Sequence, residues 1–275
     1  MLNEYKNKIN ESADFIKSKI DFTPEYALIL GSGLGELADE VENKVSLSYS
    51  EIPNFKTSTA PSHAGKMVLG QLGGKNVLVM QGRLHLYEGY SAQDIAFPVR
   101  VMNSLGVKNL IVTCAAGGIN RNFTAGSLML INDHLNFTGA NALIGPNDNE
   151  MGPRFPVMFD SYSPKLRKLA KKIALENKIS LNEGTYFAIA GPAFYTRAEL
   201  RMVTQLGGDA IGMSVVQEVI TAIHSGMTVL GIANITDMAL PDVEHHATEQ
   251  EVIDVAKKTG PVFKTLLKSI LQEME

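Results

Sequence analysis

Three polar side chains follow one apolar run of the sequence in a pattern that suits anion chemistry. The run is NVLVMQ (76–81), and Arg83, His85 and Tyr87 come after it at alternate positions, separated by leucines. Alternate residues of an extended chain point the same way, so these side chains are expected to share a face. Arginine grips an oxyanion with two hydrogen bonds, and histidine donates to a further oxygen. A buried salt bridge or a satisfied core histidine explains each residue singly, but together, at a strand end, they predict an anion site.

A glycine-rich turn offers a second place for an anion. In LILGSGLGE (28–36) an apolar run enters glycines at 31, 33 and 35, with Ser32 between the first two. Glycines let backbone N–H groups approach an anion, and a helix beginning after them would add the positive end of its dipole. The spacing fails the dinucleotide fingerprint and lacks the Lys-Ser/Thr ending of a nucleoside-triphosphate loop. Alone, the pattern is a weak signal, and a plain tight turn is the simpler explanation.

Two further loops carry small residues or a hydroxyl at the end of an apolar run. TCAAGGIN (113–120) could bring backbone N–H groups against a ligand, although close packing explains its small residues equally well. Ser214 in DAIGMSVVQE is predicted at a helix N-terminus, where its hydroxyl and the unpaired N–H groups can hold an anion. Ser214 and Gln217 resemble a capping box, as do Ser91 with Asp94 and Thr196 with Glu199, and capping alone is the simpler explanation of each.

Composition narrows the classes of protein. With 275 residues, 45% hydrophobic and 20% charged, the chain can bury its core as a single domain over 1–275. A net charge of -4 without a basic cluster predicts neither a nucleic-acid partner nor an anionic membrane surface. The only cysteine, Cys114, excludes an internal disulfide and fits a reducing compartment. Residues 1–20 include acidic residues and no continuous apolar run, so we expect a surface helix in a cytoplasmic protein.

Short apolar runs alternate with helical patterns along the chain. The runs are YALIL (26–30), VLVMQ (77–81), NLIVTCA (109–115), LMLIN (128–132), TYFAIA (185–190) and TVLGIAN (228–234). The helical patterns cover 91–105, 164–177, 197–206, 215–226 and 249–272. This alternation predicts an α/β fold in which helices flank a mixed, largely parallel central β-sheet. The stretch 136–160 is rich in Asn, Gly and Pro and is expected to be a long functional or interface loop.

Several of these segments together resemble one known family. ILGSGLGELADEV, PSHAGKMVLG, GRLHLYEGY, AAGGIN, GPAFYTRAELRM and GMSVVQEV look like the successive motifs of the trimeric, low-molecular-mass purine nucleoside phosphorylases. The resemblance runs in order from about residue 24 to residue 237. It implies a nucleoside phosphorylase fold and a pentosyltransferase of purine salvage. In that reaction phosphate, the co-substrate, attacks C1′ of a purine (2′-deoxy)ribonucleoside reversibly, and the products are free base and pentose 1-phosphate. No metal and no organic cofactor is implied.

The resemblance also assigns roles to individual residues of this chain. Those resembling the phosphate site are Ser32, His63, Arg83, His85, Ala115 through its backbone N–H, and Ser214. Those resembling ribose contacts are Tyr87, Met213 and Phe155, the last of which would reach a neighbouring subunit's site in a homotrimer. Those resembling the base site are Ala116, Gly117, Phe194, Tyr195 and Asp237. The catalytic roles would fall to His85 and Asp237.

Four positions depart from the pattern of family members that act on 6-oxopurines. Tyr195 stands where those enzymes have a glutamate, Asp237 and Cys114 where they have asparagines, and Glu249 where a histidine approaches the 5′-hydroxyl. This leaves the contact at the 5′ end open between Glu249 and the histidines of EHH (244–246).

Asp237 bears most directly on the base. An ionised carboxylate only accepts hydrogen bonds, so it suits a 6-amino group and repels O6. If burial raises its pKa, the neutral acid could instead protonate N7 of the leaving base. These substitutions favour adenosine-type or broadened specificity over a conventional inosine/guanosine enzyme. A methylthioadenosine phosphorylase stays an alternative, since such enzymes also have Asp at the place of Asp237, although they typically have a second aspartate where this chain has Ala239.

Three other classes of protein remain as alternatives. A nucleotide-binding dehydrogenase or methyltransferase built on GSGLG would need an acidic residue closing a second strand, and Glu51 lies in YSEIPNF, a poor strand end. A nucleoside hydrolase would need an aspartate-rich calcium site near the N-terminus, which the sequence lacks. A binding module would keep the pocket without turnover. Omitting phosphate from an assay separates these classes from a phosphorylase.

Overall fold

Nine strands and six helices alternate along the chain in the computed structural model, which describes residues 2–60 and 64–274. The strands are β1 Tyr26–Leu30, β2 Glu42–Ser48, β3 Lys66–Leu72, β4 Lys75–Gln81, β5 Asn109–Gly118, β6 Leu128–Asn136, β7 Leu181–Ala188, β8 Ala210–Gly212 and β9 Thr228–Met238. The helices are α1 Leu2–Lys17, α2 Ala92–Ser104, α3 Pro164–Glu176, α4 Arg197–Gln205, α5 Val216–His224 and α6 Glu249–Glu273. Three short 3₁₀ helices span Gly35–Glu40, Tyr49–Glu51 and Leu86–Glu88.

All nine strands join one sheet in the order β2-β3-β4-β1-β5-β8-β7-β6-β9. Strand β9 also pairs with β5, so the half of the sheet that begins at β5 closes on itself. The parallel pairs are β1 with β4 and β5, β5 with β9, β6 with β7, and β7 with β8. The remaining pairs, β2–β3, β3–β4, β5–β8 and β6–β9, are antiparallel. The prediction of a mixed, largely parallel sheet is therefore confirmed.

The sheet is buried because helices cover both of its faces. Helices α1, α2 and α5 supply apolar side chains to one layer of the core, and α3 and α6 supply them to the other. Every residue of β1 is buried, as expected of a parallel strand with helices on both sides. This packing holds the loops at the carboxyl ends of the strands on a rigid base.

The six predicted strands all form, and the structure lengthens several of them. Strand β5 continues through the small residues to Gly118, and β9 continues to Met238, because the two strands pair along their whole length. As a result Gly117 lies opposite Asp237 within the sheet rather than in a loop. The antiparallel strands β2 and β3 were not predicted, since β2 is mostly exposed and lacks a clear apolar run. The three-residue strand β8 is too short for its pattern to be recognised.

Two of the three predicted capping boxes are confirmed, those of Ser91 in α2 and Thr196 in α4. The third prediction was wrong: α5 has Val215 as its N-cap and no side-chain cap, so Ser214 lies one residue before the cap. The expected helix after the glycine-rich turn was also wrong. Only the 3₁₀ helix Gly35–Glu40 follows that turn, and it is too short to have a substantial dipole.

Candidate active site

The predicted site residues meet in one cavity of about 160 Å³ at the carboxyl ends of β1 and β5. Its wall is made by Gly31, Ser32, Arg83, His85, Tyr87, Cys114, Ala115, Ala116, Gly117, Phe194, Tyr195, Ile211, Gly212, Met213, Ser214, Thr236, Asp237 and Val252. Every residue predicted for the site is among them except His63 and Phe155. His63 lies outside the described residues.

Phe155 is remote from this wall in the isolated chain. Its side chain is 84% exposed and lines a separate surface depression together with Arg154 and Ile220. The neighbouring Val157 and Phe159 are exposed to a similar extent. The loop that carries these residues was correctly predicted to lack regular structure, and it presents apolar side chains to the outside.

Arg83 is held in the wall by contacts to three different elements. Its Nε lies 3.1 Å from Oε1 of Glu218 in α5, Nη2 donates to the carbonyl oxygen of Ile29, and Nη1 donates to Oγ of Ser214 at 3.2 Å. The side chains of Arg83 and Glu218 are 2% and 4% exposed. A charge at that depth is costly without a partner, so Glu218 compensates the guanidinium and orients it in the cavity wall. Sequence reasoning missed Glu218, although it lies in the motif GMSVVQEV.

His85 is oriented by Glu88, which sequence reasoning also missed. Oε1 of Glu88 accepts from the backbone N–H of His85 and lies 2.8 Å from Nδ1 of its ring, while Oε2 accepts from Thr59. Burial by itself would raise the pKa of Glu88, but the hydrogen bonds from His85 and Thr59 outweigh it and hold this pKa at about 2. The ionised carboxylate can only accept, so Nδ1 carries a proton and Nε2 is the ring nitrogen that an oxyanion can contact.

Arg83, His85 and Tyr87 line the same cavity, as predicted, but the expected cause, an extended chain through all three residues, was wrong. Strand β4 ends at Gln81, Gly82 has a φ of 103°, and Tyr87 lies in a 3₁₀ helix rather than in an extended segment. Tyr87 meets His85 because their rings stack with centroids 4.5 Å apart. Burial raises the pKa of Tyr87 to about 12, so its phenol remains a neutral donor at physiological pH.

The glycine-rich turn is shaped mainly by strand packing. A Cβ on Gly31 would lie 2.7 Å from Cα of Cys114, so only glycine allows β1 and β5 to approach here. The Gly31 N–H donates to Oγ1 of Thr113, which itself donates to the Ile29 carbonyl oxygen. These contacts place Ser32 in the cavity wall beside β5.

Ser214 is placed by a strained backbone position. Val215 has φ 73° and ψ −50°, and the N–H of Val216 donates to the Ser214 carbonyl oxygen at 2.8 Å, which closes a γ-turn. This conformation is an outlier for a β-branched residue and is held by complete burial of Val215. The turn directs the hydroxyl of Ser214 toward Arg83. The backbone N–H of Ser214 donates to the phenol oxygen of Tyr186.

The opposite side of the cavity combines aromatic rings with a buried carboxyl group. Phe194 and Tyr195 contact each other edge to face, and the Tyr195 hydroxyl donates to the Ile211 carbonyl oxygen. Asp237 is 9% exposed, and a Cβ on Gly117 would come within 3.3 Å of its Oδ2. Burial raises the pKa of Asp237, and the nearby His246 and the hydrogen bond from Thr236 oppose that rise.

Three residues were left open for the 5′ end, and they lie in different surroundings: His245, His246 and Glu249. The ring of His246 packs on Phe194 and Tyr195, and its Nε2 is 3.9 Å from Oδ2 of Asp237. By contrast, the side chain of His245 is 69% exposed and pairs with Glu251. Glu249 begins α6, and its charge helps to raise the pKa of Tyr87 after the larger effects of burial and Glu88.

No group of three or more His, Cys, Asp or Glu side chains within 2–60 and 64–274 is arranged to hold a metal ion. None of the helices described there has the length and apolar character needed to cross a membrane.

Fold and cavity together define an α/β protein whose cavity brings Arg83, His85 and Ser214 together with aromatic rings and a buried carboxyl group. The family model of the phosphorylase superfamily matches residues 25–272. The chain is also 51% identical to purine nucleoside phosphorylase 1 of Geobacillus stearothermophilus, over 98% of each chain. It therefore belongs to the phosphorylase superfamily and, within it, to the purine nucleoside phosphorylases.

Superposition on solved structures agrees with this family assignment. The purine nucleoside phosphorylase of Schistosoma mansoni in complex with adenosine superposes with a TM-score of 0.94 at 36% identity and 98% coverage of both chains. The structure of the Schistosoma mansoni enzyme with inosine gives a TM-score of 0.93 at 36% identity, covering 98% of this chain and 97% of that one. The predicted family and fold are thereby confirmed.

Proposed function

We propose that this protein catalyses the reversible phosphorolysis of purine (2′-deoxy)ribonucleosides to the free base and (2-deoxy)ribose 1-phosphate. One observation carries the proposal: the oxyanion-binding groups of Arg83, His85 and Ser214 share a single cavity with Phe194 and Asp237. Phosphate is the nucleophile and co-substrate, and no metal or organic cofactor takes part in the proposed reaction. We propose that the whole chain acts as one phosphorylase domain in a reducing, cytoplasmic environment.

The mechanism follows from where charge develops. Cleavage of the glycosidic bond builds positive charge on the sugar and negative charge on the departing purine, so catalysis consists mainly of positioning and electrostatics. Arg83, Ser214, Ser32 and the N–H of Ala115 hold the phosphate, and His85 donates from Nε2 when that nitrogen is protonated. Loss of one such contact costs about 3 kcal/mol, by analogy with an oxyanion-hole donor.

The remaining assignments concern the sugar and the neighbouring subunit. Tyr87 and Met213 would contact the pentose, and Ala116 and Gly117 would lie along the base. The phosphate role of His63 stays a prediction. We further propose a homotrimer in which Phe155 completes the ribose site of the adjacent subunit, supported by the exposure of this loop's apolar side chains.

For the base, we propose adenosine-type or broadened specificity. Tyr195 does not offer the charged acceptor that a glutamate presents to N1–H of a 6-oxopurine, because its buried phenol stays neutral. Asp237 either accepts from a 6-amino group or, as the neutral acid that its raised pKa favours, donates to N7. The Schistosoma mansoni phosphorylase, which has been solved with adenosine and with inosine, supports the idea that such a site accepts either base.

A rate comparison with and without phosphate tests the proposal. Purified protein is assayed on adenosine, inosine and guanosine, and formation of pentose 1-phosphate is followed together with base release. We expect base release from all active substrates to stop without phosphate, and adenosine to be cleaved. Base release that continues without phosphate would indicate a hydrolase and refute phosphorolysis. Fast inosine cleavage with undetectable adenosine cleavage would overturn the base assignment alone and leave a conventional inosine/guanosine enzyme.

A further inference from the structure

We propose that His246 is a positioning residue that fixes the base-facing oxygen of Asp237 as a hydrogen-bond acceptor and thereby favours 6-aminopurines. This inference rests on the proposed function, and it assigns Asp237 the accepting role rather than proton donation to N7. The sequence left His246 open as a contact for the 5′ end, and only the folded chain places it beside Asp237.

The geometry shows two buried polar atoms facing each other. Oδ2 of Asp237 and Nε2 of His246 are 3.9 Å apart, and both are sealed from solvent with no hydrogen-bond partner among the described residues. Leaving such atoms unpaired costs free energy, so a modest approach that lets them share a proton is favourable. Asp237 also lines the cavity, and with Oδ2 sealed, Oδ1 is the oxygen left for a ligand.

The surroundings of His246 determine where its hydrogens lie. Nδ1 is 2.9 Å from the carbonyl oxygen of Ala247, and a carbonyl oxygen can only accept, so Nδ1 carries a hydrogen. If the ring is neutral, Nε2 is bare and accepts from a proton on Oδ2. If the ring is charged, Nε2 donates to an ionised Oδ2. In both of these states the pair carries one proton, and that proton lies between the two atoms.

It follows that Oδ1 of Asp237 presents only lone pairs to the cavity. One of them already receives a weak hydrogen bond from Oγ1 of Thr236 at 3.4 Å, and the other is available to a base. A 6-amino group donates to such an oxygen, whereas O6 of a 6-oxopurine brings a second acceptor against it. Only a second proton on the pair would turn Oδ1 into a donor.

Without His246, nothing would tie the proton of the buried carboxyl group to Oδ2. The neutral acid could then place its proton on Oδ1 and donate to O6. His246→Phe is suited to test this, since phenylalanine can keep the ring contacts with Phe194 and Tyr195, whose centroids lie 5.0 and 5.7 Å away, while losing Nε2. His246→Gln is the conservative variant, because its amide can still donate to Oδ2.

The experiment measures kcat/KM for adenosine and inosine in the wild-type protein and in the variants His246→Phe, His246→Gln and His245→Phe. We expect the adenosine-to-inosine ratio to fall about tenfold or more in His246→Phe, the size expected for one hydrogen bond to a charged or strongly polar group. The ratio should be largely restored in His246→Gln. It should stay at the wild-type value in His245→Phe, because His245 is exposed and pairs with Glu251.

Each other result has a distinct meaning. An unchanged ratio in His246→Phe, with wild-type phosphorolysis intact, overturns the role of His246 and leaves the proposed function standing. Equal losses on both nucleosides that disappear with 5′-deoxyadenosine and 5′-deoxyinosine also overturn it, since they indicate a contact with the 5′-hydroxyl. No phosphate-dependent cleavage by the folded wild-type protein would instead refute the proposed function itself. Circular dichroism and melting temperature establish that each variant is folded before its ratio is interpreted.

Discussion

The imidazole of His85 and the carboxylate of Glu88 lie 2.8 Å apart, three residues from each other across the 3₁₀ helix that ends at Glu88. Glu88 thereby decides which nitrogen of His85 carries a hydrogen and which one is left for a ligand. The same carboxylate ties down Thr59, in the segment just before residues 61–63. Glu88 thus links His85, which lines the cavity, to a segment that is distant in sequence.

Replacing Glu88 with glutamine should impair the use of phosphate. Glutamine has one acceptor oxygen in place of two, so it cannot accept from His85 and Thr59 together, and His85 loses its fixed tautomer. We expect kcat/KM for phosphate to fall about tenfold to a hundredfold, the range found when partners that orient a histidine are removed. Steady-state kinetics at saturating nucleoside measure this, and a variant with wild-type phosphate kinetics would contradict the orienting role.

Glu88 should also contribute to the pH dependence of stability. Its pKa is lowered from 4.5 to about 2 in the folded protein, so its stabilising contribution is complete above pH 4.5 and is lost as the pH falls toward 2. We expect the difference in free energy of unfolding between the wild type and Glu88→Gln to shrink over that interval. Urea titrations at several pH values from 6 downward measure the difference. A constant difference would mean that the carboxylate is not preferentially ionised in the folded state.

Arg83 should matter for both folding and catalysis, and a paired substitution can separate the two. Arg83→Ala leaves the buried carboxylate of Glu218 without its partner, a change that destabilises a protein by about 3–5 kcal/mol. Combining Arg83→Met with Glu218→Leu removes both charges and should recover most of that stability. Activity should remain at least a hundredfold below wild type, since the phosphate contact is still missing.

The measurements are thermal unfolding and phosphorolysis rates on the same preparations. Near-normal turnover in the doubly substituted protein would refute the assignment of Arg83 to phosphate. Stability that does not recover would instead show that Arg83 contributes through its contacts with Ile29 and Ser214 more than through the ion pair.

Asp237→Asn should reverse the preference for the base. The amide Nδ2 can donate to O6, which the carboxylate repels, while the amide oxygen still fits the space beside Gly117. We expect the inosine-to-adenosine ratio of kcat/KM to rise at least tenfold, in line with one hydrogen bond gained and one repulsion removed. Competition between the two nucleosides, followed by chromatography of the released bases, measures the ratio directly. A ratio that stays constant would place the choice of base elsewhere, with Tyr195 the next residue to test.

Phe155 should affect substrate binding only in the assembled protein. In the isolated chain its ring is exposed and does not line the cavity, so we expect its effect on turnover to act through a neighbouring copy. We expect Phe155→Ala to raise KM for the nucleoside about tenfold, corresponding to about 1.4 kcal/mol of lost contact, with a smaller change in kcat. Light scattering should give the mass of three chains for the wild type. A monomeric wild type with full activity would refute the role of Phe155.

Much of the site could be predicted because its groups lie in short segments with recognisable chemistry. Arg83, His85 and Tyr87 stand in one such segment, and Ser32 and Ser214 stand in two others. Each of these segments follows a buried strand, and parallel strands bring their carboxyl ends to one edge of the sheet. The partners of these residues were not predictable in the same way. Glu218 is found in a helix far along the chain, and nothing in its own sequence neighbourhood indicates that it faces Arg83.

The sequence by itself determined the family, six of the nine strands, most of the helices and the identity of most groups that line the cavity, because residue types and periodicity are local properties. The tertiary structure decided how those groups are oriented and charged. Pairing of β5 with β9 brings Gly117 to Asp237, and folding of the segment before α6 brings His246 to the same carboxyl group. Burial and proton sharing depend on distances between residues remote in sequence, and those distances exist only in the folded chain.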